Sequence, residues 1–483
     1  MSYFKNFIAG EWKPSVEEKW FKDVNPADTR DVLGFFPDSS EEDVGEAVDA
    51  AREAFNGWAA TPPSERGRIL LRAALFLEEQ VEELVKLLSR EEGKTLAESR
   101  IEVLRTVEIF KFFAGAGHRL KGETIPSMRR GVFIYTCREP LGVVGVITPW
   151  NFPIAIPAWK IAPALVCGNT VVFKPSSLTP MIAQKMVEAL ERAGLPKGVL
   201  NLIHGGAEVG RSLVASRLDA ISFTGSHEVG SEIYKRLAET GRMIRYQMEM
   251  GGKNPFVVMA DADLDRAVTL AAKSAFGLTG QACTAASRIL VEEEAFDVFL
   301  RKFVDAASKI RVGNPLKGEV DMGPAASEQQ LEKDLKYVEI GKQEGAKLVC
   351  GGERLMGGDY DYGYFMAPTV FTDVTKDMRI AQEEIFGPVA CVMRFKGLDE
   401  AIELANSVEY GLCAGICTSS LAKALEFASR VEAGVVKIND MTVGIELQVP
   451  FGGFKKSSSM TFKEQGDAAL EFYTKLKSVY VIP

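Results

Sequence analysis

A chain of 483 residues is too long for one simple core and predicts two or three domains. Hydrophobic residues make up 46% of the chain and charged residues 25%, which is typical of a globular protein with ample apolar surface to bury. The net charge of −9 is spread along the whole length without a basic stripe, which argues against nucleic acid as a partner.

The chain is predicted to be helical at first and then to alternate. Apolar residues recur at helical spacing through residues 41–118, and from Gly142 onward short β-rich runs alternate with helical segments. The predicted strands are 143–147, 170–173, 199–203 and 220–223, and the predicted helices are 154–166, 181–193, 209–216 and 229–237. This alternation is typical of an open, doubly wound sheet, which binds its ligand beyond the carboxyl ends of its strands.

A second α/β region is expected from residue 255 to about residue 439. Its predicted helices are 263–276, 295–310 and 400–406, and its predicted strands are 289–291, 389–392 and 435–438. Two further segments, 119–138 and 473–482, have strand character and belong to neither region. Because an unpaired edge strand is a liability, we expect these segments to pair across subunits in a homodimer or homotetramer.

The cysteines and the apolar runs indicate a reducing compartment. The seven cysteines follow no disulfide-framework spacing, and several lie inside apolar runs. Cys413 and Cys417 are four residues apart but have no histidine near them, so we expect no metal. The N-terminal residues lack an apolar signal region, and prolines and polar residues interrupt the longest apolar stretch, 141–166. We therefore expect a cytoplasmic protein with no membrane segment.

Polar residues follow two of the predicted strands. Asn151 lies in Thr148-Pro-Trp-Asn-Phe-Pro153, where its amide could donate to developing negative charge, although a turn asparagine next to proline is the competing interpretation. Lys174 closes the next strand and is followed by Ser176 and Ser177. These side chains could bind hydroxyl groups or a phosphate, and a solvated strand end explains them equally well.

Two more segments are candidates for ligand binding. Gly225 and Ser226 open a predicted helix whose N-terminus could hold one phosphate, although neither standard phosphate-loop pattern is met. Glu384 and Phe386 stand just before a Gly-Pro turn, where the carboxylate could bind sugar hydroxyls and the ring could pack on a flat group. The alternative is a helix end with a solvated carboxylate.

Cys283 and Glu249 are the strongest candidates for covalent chemistry. Cys283 stands in Gly280-Gln-Ala-Cys-Thr-Ala285, a polar and glycine-containing setting unlike the apolar runs around other cysteines. The three histidines adjoin no serine or cysteine motif, so a triad is disfavoured and the base must be a carboxylate. Glu249, in Glu-Met-Gly-Gly-Lys-Asn (249–254), supplies one. The pair predicts attack by sulfur followed by attack by water.

Seven segments in one order resemble the aldehyde dehydrogenase superfamily, and the resemblance covers essentially the whole chain. They are Pro-Trp-Asn (149–151), Lys-Pro-Ser (174–176), Phe-Thr-Gly-Ser (223–226), Glu-Met-Gly-Gly-Lys (249–253), Gly-Gln-Ala-Cys (280–283), Glu-Glu-Ile-Phe-Gly-Pro (383–388) and Pro-Phe-Gly-Gly (450–453). The resemblance implies an α/β fold with three units. They are a Rossmann-like cofactor domain (1–118 and 140–250), a catalytic domain (251–440) and a β oligomerisation arm (119–139 and 455–483).

The resemblance also implies a role for each site residue. Cys283 would attack the aldehyde carbon, the Asn151 amide and the Cys283 backbone N–H would hold the oxyanion, and Glu249 would activate the water that releases the acid. Lys174 would contact the adenosine ribose and Glu384 the nicotinamide ribose. The implied cofactor-binding residues are Thr148, Trp150, Lys174, Ser176, Ser177, Gly225, Ser226, Met250, Glu384 and Phe386.

The resemblance bears on the choice of cofactor and substrate. NAD-preferring relatives often carry a glutamate three residues after the lysine, where this chain has Ser177, so we expect NADP to be preferred and NAD to be the second choice. Segments 446–453 and 457–466 resemble 2,5-dioxopentanoate dehydrogenases. A broad-range or glyceraldehyde enzyme ranks next. Succinate semialdehyde ranks last because Trp159 replaces the expected arginine. Trp159, Ile445 and Phe451 are expected to line the substrate pocket.

Other classes of protein explain fewer of these residues. A relative that acylates coenzyme A tends to lack the water-activating glutamate, so Glu249 argues for hydrolysis. A Cys-dependent hydrolase or acyl transferase would leave the Lys174 and Ser226 regions unexplained. A non-catalytic protein on the same fold would not require Asn151, Glu249 and Cys283 together.

Overall fold

The computed structural model describes residues 2–482. Within this range the strands, in chain order, are β1 Asn6–Ile8, β2 Glu11–Lys13, β3 Trp20–Val24, β4 Val32–Pro37, β5 Thr124–Ile125, β6 Phe133–Pro140, β7 Val143–Ile147, β8 Thr170–Lys174, β9 Leu200–Leu202, β10 Ala220–Thr224, β11 Arg245–Glu249, β12 Asn254–Val258, β13 Ala286–Glu292, β14 Lys347–Cys350, β15 Thr369–Thr372, β16 Val389–Phe395, β17 Tyr410–Gly411, β18 Cys413–Cys417, β19 Val435–Ile438, β20 Phe454–Lys455 and β21 Thr474–Val481.

The helices over the same residues are α1 Glu41–Ala60, α2 Pro63–Glu79, α3 Val81–Glu92, α4 Leu96–Ala116, α5 Ala155–Val166, α6 Pro180–Arg192, α7 Ala207–Ala215, α8 His227–Glu239, α9 Leu264–Phe276, α10 Glu293–Ser308, α11 Glu328–Gln343, α12 Arg379–Gln382, α13 Gly397–Asn406, α14 Leu421–Arg430 and α15 Ala468–Phe472. No helix among residues 2–482 combines the length and apolar character needed to cross a bilayer.

The first seven-stranded sheet has the order β11-β10-β7-β8-β9-β1-β2. Strands β7 to β11 are parallel, and β1 and β2 extend the far edge antiparallel. The chain runs outward from β7 through β8 and β9 and then places β10 on the other side of β7. The carboxyl ends of β7 and β10 therefore flank the topological switch point, where open α/β sheets bind ligands. The predicted doubly wound sheet is confirmed.

The second seven-stranded sheet, with the order β14-β15-β16-β13-β12-β18-β19, meets the first end to end. It is parallel except for β14. Only residues 250–253 separate the end of β11 from the start of β12. Asn151, beyond the carboxyl end of β7, donates to the carbonyl of Gln281, ahead of β13. The carboxyl ends of one sheet thus face the amino ends of the other.

Helix α4 is built to hold the loop that follows β7. Thr95 and Glu98 form a reciprocal capping box at its start, which satisfies N–H groups that the helix leaves free. Phe110 and Phe113 are buried on its inner face, which packs against α2 and α5. Full burial of such a side chain is worth about 1.5–3 kcal/mol. Helix α5, buried along its whole length, is therefore fixed from behind.

The predicted arm segments form a three-stranded sheet of their own. Strand β21 pairs along its full length with β6, and β5 pairs with the other edge of β6, all within one chain. Segments 119–138 and 473–482 thus pair with each other within the chain, and the expected pairing across subunits stays a prediction. Residues 455–472, which the resemblance assigns to the arm, contact the body of the chain. Ser458 forms a bridge with Glu249, and the buried Phe472 anchors α15 against α5.

The other predicted elements lie close to their predicted bounds, but β1 to β4, β14, β15 and α14, among others, were not predicted. Helices α1 to α4 fill residues 41–116, and β7, β8 and β10 match their predicted strands within one residue. The sequence patterns did not indicate β11, β18 or α11. Strand β11 begins with Arg-Tyr-Gln and lacks an apolar run, although it ends at the candidate base Glu249. Its identity depends on parallel pairing with β10 and not on its own composition.

Candidate active site

The thiol of Cys283 lies in a loop between α9 and β13 whose backbone is unusual. Leu278, Thr279 and Gly280 all have left-handed φ values of 55°, 57° and 68°. For a β-branched residue such as threonine this conformation is strained and persists only where the surroundings enforce it. Glu98 on α4 accepts from the Leu278 N–H at 2.7 Å, and the Thr279 hydroxyl donates to the Gly323 carbonyl at 3.2 Å. The turn that presents Cys283 is thus held from two sides.

The environment of the Cys283 thiol favours its protonated form. The residue is partly exposed, but most of its surroundings are protein. Burial raises the pKa of the Cys283 thiol well above its ordinary value, and the nearby carboxylates Glu384 and Glu249 raise it further. Asn254 donates to the Cys283 carbonyl at 2.8 Å and so fixes the loop without stabilising a thiolate. Cationic charge is what this site lacks, and a positively charged ring bound beside the sulfur would supply it.

Asn151 is buried beside the Cys283 loop. Its side-chain amide donates to the Gln281 carbonyl at 3.0 Å, two residues before the thiol. Its backbone carbonyl accepts from the buried ammonium of Lys94 at 2.7 Å. The structure therefore brings Asn151 and Cys283 together, as the sequence predicts. In the described structure one amide N–H is engaged by Gln281, which leaves the second for an oxyanion.

A buried ion pair stands behind Asn151. Lys94 also donates to Glu102 at 2.6 Å, and the other oxygen of Glu102 accepts from the backbone N–H groups of Ile154 and Ala155 at 3.1 and 3.2 Å. Glu92 lies 3.7 Å from Lys94, and burial raises the pKa of Glu92 to about 8. Charges this deeply buried persist only when paired and hydrogen-bonded. The pair connects the start of α4 to the loop after β7.

Glu249 ends β11 and is 2% exposed. One carboxylate oxygen accepts from the Gly453 N–H at 3.0 Å, and the other is buried without a hydrogen-bond partner among the described residues. Burial raises the pKa of Glu249 well above its usual range, and the negative charge of Glu464 adds to the shift. A buried oxygen with no partner and a raised pKa are what a proton acceptor for water requires.

Glu464 belongs to a second buried cluster, next to Glu249. Its carboxylate is bonded to the buried ammonium of Lys160, and it accepts from the indole N–H of Trp159 at 2.8 Å. Lys463, half buried, donates to the carbonyls of Gly452 at 2.5 Å and Gly453 at 3.2 Å. The charges of Glu464, Lys463 and Lys160 all act on the pKa of Glu249.

The cofactor candidates after β8 cluster at the carboxyl edge of the first sheet. Lys174 is buried and donates to the carbonyls of Pro175 and Gly205, both at 2.8 Å. Burial lowers the pKa of Lys174 to about 8, and the carboxylate of Asp38 opposes that shift. Ser176 accepts from the Leu178 N–H at 3.2 Å.

Ser177 and the two candidates after β10 remain accessible. Ser177 is partly exposed. The N–H of Gly225 donates to the Glu249 carbonyl at 3.1 Å, and the exposed Ser226 caps α8. Met250, buried, packs close against Gly230 of α8, where an added Cβ would come within 2.5 Å of its sulfur.

Candidates from the two sheets meet across the junction. The ring of Trp150, after β7, contacts the ring of Phe386 edge to face with centroids 5.4 Å apart. Phe386 has a left-handed φ of 69° just before β16. Glu384 accepts from the Gly252 N–H at 2.8 Å, and an added Cβ on Gly251 would meet its carboxylate at 2.0 Å. Thr148 lies beneath, with its hydroxyl buried and unpartnered among the described residues.

Five charged residues near the site were not predicted from the sequence to have a role there. They are Lys94, Glu102, Lys160, Glu464 and Arg105. Each is a charged residue on a helix or in a loop, and a pattern on its own element does not distinguish it from a solvated charge. A weak signal existed for Lys160, an ionisable residue within an apolar run between prolines. Among residues 2–482, no group of three or more His, Cys, Asp or Glu side chains is arranged to hold a metal ion.

Comparison with known proteins identifies the family. A sequence profile of the aldehyde dehydrogenase family matches residues 12–479. The chain belongs to the aldehyde dehydrogenase family. It is 49% identical to 2,5-dioxopentanoate dehydrogenase of Saccharolobus solfataricus, with 98% of each chain covered. It is 46% identical to alpha-ketoglutaric semialdehyde dehydrogenase of Bacillus subtilis, with 99% of this chain and 98% of that one covered.

Solved structures agree with the family fold. The crystal structure of betaine aldehyde dehydrogenase from Staphylococcus aureus in complex with NAD+ superposes with a TM-score of 0.96 at 36% identity, covering 99% of this chain and 94% of that chain. The predicted aldehyde dehydrogenase fold is therefore confirmed, and the protein is an NAD(P)-dependent aldehyde dehydrogenase.

Proposed function

We propose that this aldehyde dehydrogenase oxidises 2,5-dioxopentanoate to the corresponding dicarboxylic acid through a thiohemiacetal and a thioester on Cys283. The observation that carries the chemistry is the meeting of Cys283, Asn151 and Glu249 at the junction of the two sheets. The names of the relatives at 46% and 49% identity support the substrate. The runner-up is a broad-range or glyceraldehyde dehydrogenase, and succinate semialdehyde ranks after it.

In the proposed mechanism the protein forms and hydrolyses one covalent bond. The Cys283 thiolate attacks the aldehyde carbon, and the oxygen that becomes negative accepts from the Asn151 amide and the Cys283 backbone N–H. A bound nicotinamide supplies the hydride acceptor for the oxidation. Glu249 then accepts a proton from water through its unpartnered oxygen as the water attacks the thioester. Sulfur leaves, and the acid is released.

The residues at the switch point fit a nicotinamide dinucleotide. The buried Thr148 hydroxyl lacks a partner among residues 2–482, as expected of a group that awaits a ligand. Trp150, Gly225, Ser226, Met250 and Phe386 would frame the cofactor. In addition, Lys174 with Ser176 and Ser177 would hold its adenosine ribose, and Glu384 its nicotinamide ribose. Glu384 already lies beside the link between the sheets, near both Gly251 and Gly252.

The proposal includes a preference for NADP over NAD. A carboxylate at position 177 would repel a 2′-phosphate, whereas the hydroxyl of Ser177 accepts one beside the cationic Lys174. Ser177→Glu is expected to lower the NADP/NAD ratio of kcat/KM at least about tenfold, which is the effect of roughly one charge contact. Ser308→Glu, at the exposed end of α10, is the control. An unchanged ratio in Ser177→Glu would refute this explanation.

The substrate is tested by a panel of aldehydes with NADP. Values of kcat/KM are compared for 2,5-dioxopentanoate, glyceraldehyde, succinate semialdehyde and pentanal. A value for 2,5-dioxopentanoate well below that for pentanal would reject the first choice. Product analysis with and without coenzyme A separates hydrolysis from acyl transfer, and the absence of NADPH formation would favour a hydrolase without redox chemistry.

The site also predicts where the reaction stalls without its base. Glu249→Gln is expected to release about one NADPH per subunit in a rapid burst and then to turn over slowly, because acylation proceeds while water attack fails. A Glu249→Gln enzyme with normal steady-state turnover would remove Glu249 from the mechanism.

We further propose a cytoplasmic homodimer or homotetramer. The outer edge of β21 is open to a partner within the described chain, and its exposed residues include Leu476 and Tyr480. Deletion of residues 474–482 is expected to dissociate the oligomer, as measured by analytical ultracentrifugation.

A further inference from the structure

Arg105 is a partly buried cation without a carboxylate partner. It lies on the inner side of α4 and donates to the carbonyl of Ile445 and, at 2.8 Å, to the side-chain oxygen of Gln465. No carboxylate oxygen of residues 2–482 lies within ion-pair distance of its guanidinium, although many more exposed arginines of this chain are paired. A half-desolvated charge is normally compensated by an opposite charge, so an anion is missing here.

The position of Arg105 connects it to the substrate pocket. Its guanidinium lies 5.9 Å from the centroid of the Trp159 ring, and Trp159 in turn contacts Phe451 with centroids 6.3 Å apart. Arg105 therefore touches two of the three residues expected to line the pocket, Trp159 and Ile445. Its partner Gln465 follows Glu464, whose charge acts on both Glu249 and Cys283.

The guanidinium retains the capacity to bind a ligand. An arginine has five N–H donors, and two hydrogen bonds to described residues are present, so donors remain for a carboxylate. Burial lowers the pKa of Arg105, while the more distant carboxylates of Glu446 and Glu102 act in the opposite direction. Arginine stays protonated under these conditions and presents a planar fork that matches a carboxylate.

We propose that Arg105 is a specificity-determining residue that binds the far carboxylate of an aldehyde acid while Cys283 attacks its aldehyde carbon. This inference rests on the proposed function and names the group that selects its substrate class. In 2,5-dioxopentanoate the carboxyl and aldehyde carbons are four C–C bonds apart, about 5 Å when extended. Trp159 closes the side of the pocket where some relatives place an arginine, so the cation comes from α4 instead of α5.

The test compares one charged and one neutral aldehyde in matched variants. Arg105→Met is expected to lower kcat/KM for 2,5-dioxopentanoate about 30-fold or more, chiefly through KM, and to change that for pentanal less than threefold. Arg105→Gln keeps hydrogen-bond donors but loses the charge, and it should behave like Arg105→Met. Arg105→Lys should retain most of the preference for the acid. Arg100→Met, on the exposed side of the same helix, should change neither substrate.

The outcomes separate this inference from the proposed substrate. If the wild-type enzyme prefers 2,5-dioxopentanoate and both neutral variants keep that preference, Arg105 is not the selecting group and only this inference falls. If the wild-type enzyme prefers pentanal, the proposed substrate falls and the inference falls with it. If Arg105→Met fails to fold, as seen by circular dichroism, Arg105→Gln and Arg105→Lys still decide the question, because they differ mainly in charge.

Discussion

The two sides of the active site are built in different ways. At the reaction centre, Cys283 and Asn151 are held by contacts to main-chain carbonyls, one of them from the buried Lys94 just before α4. At the other side, where the substrate tail would lie, the contacts come from the side chains of Trp159 and Arg105. The first side fixes atoms that every aldehyde needs, and the second reads what distinguishes one aldehyde from another. Changes at the centre should therefore affect all substrates equally.

Removal of the thiol should have the largest effect. Cys283→Ala is expected to lower kcat at least about 10⁴-fold for every aldehyde tested, since the proposed covalent bond forms at the Cys283 sulfur. Cys391→Ala, a buried cysteine of the second sheet, is the control and should keep activity. Steady-state NADPH formation measures both. Substantial residual activity in Cys283→Ala would show that the reaction does not depend on the Cys283 thiol.

Loss of the buried Lys94–Glu102 ion pair behind the reaction centre should have the next largest effect, and that effect is on stability. Lys94→Met leaves the carboxylate of Glu102 buried without its partner, and we expect a loss of about 3–5 kcal/mol in the free energy of unfolding. Lys111→Met, which removes the surface ion pairs of Lys111 with Glu78 and Glu108, should cost less than about 1 kcal/mol. Urea unfolding compares them. Equal costs would mean that the buried pair contributes no more than a surface one.

Loss of the oxyanion donor should lower the rate with every aldehyde. Asn151→Ala is expected to lower kcat about 10²–10³-fold, by a similar factor for charged and neutral aldehydes. Asn314→Ala, in a surface turn, is the control. A loss confined to 2,5-dioxopentanoate would place Asn151 on the selecting side of the pocket and not at the centre.

The smallest expected effect is that of Glu249→Gln on the pH dependence of the free energy of unfolding. Its pKa is raised in the folded protein, so the free energy of unfolding falls as pH rises through that pKa. Glutamine does not ionise, and Glu249→Gln should therefore be more stable than the wild type by about 1 kcal/mol above the raised pKa, with the gap closing toward about pH 5. Thermal melts across pH measure it. A gap that widens toward acid would contradict the sign.

Much of the fold follows from local patterns, but its long-range pairings do not. Strands β7, β8 and β10 can be recognised from their apolar runs, because strands buried on both faces are hydrophobic throughout. Strand β11 cannot, since Arg245 and Gln247 owe their extended conformation to pairing with β10. The partner of segment 473–482 is likewise decided by contact with β6, more than 300 residues earlier in the chain.

The candidate site divides in the same way. Cys283, Glu249 and Asn151 stand in short segments whose glycines, prolines and polar side chains are unusual for their surroundings. The charged residues that support the site or select the substrate cannot be recognised from their local sequence. Lys160 meets Glu464 across 304 residues, and Arg105 meets Ile445 across 340. Helical spacing predicts which face of a helix such a residue occupies. Its contact partners are known only from the folded structure.

The four-residue link between the sheets limits how the two halves of the chain can be recombined with those of a relative. A side-chain carbon on Gly251 would strike the carboxylate of Glu384, and one on Gly252 would come within 2.7 Å of the Cys283 carbonyl. The two halves of the chain therefore share one crowded seam and cannot be exchanged as separate modules. A chimera that joins this first half to a distant relative's second half is therefore expected to need both glycines and the loops that face them from the same parent.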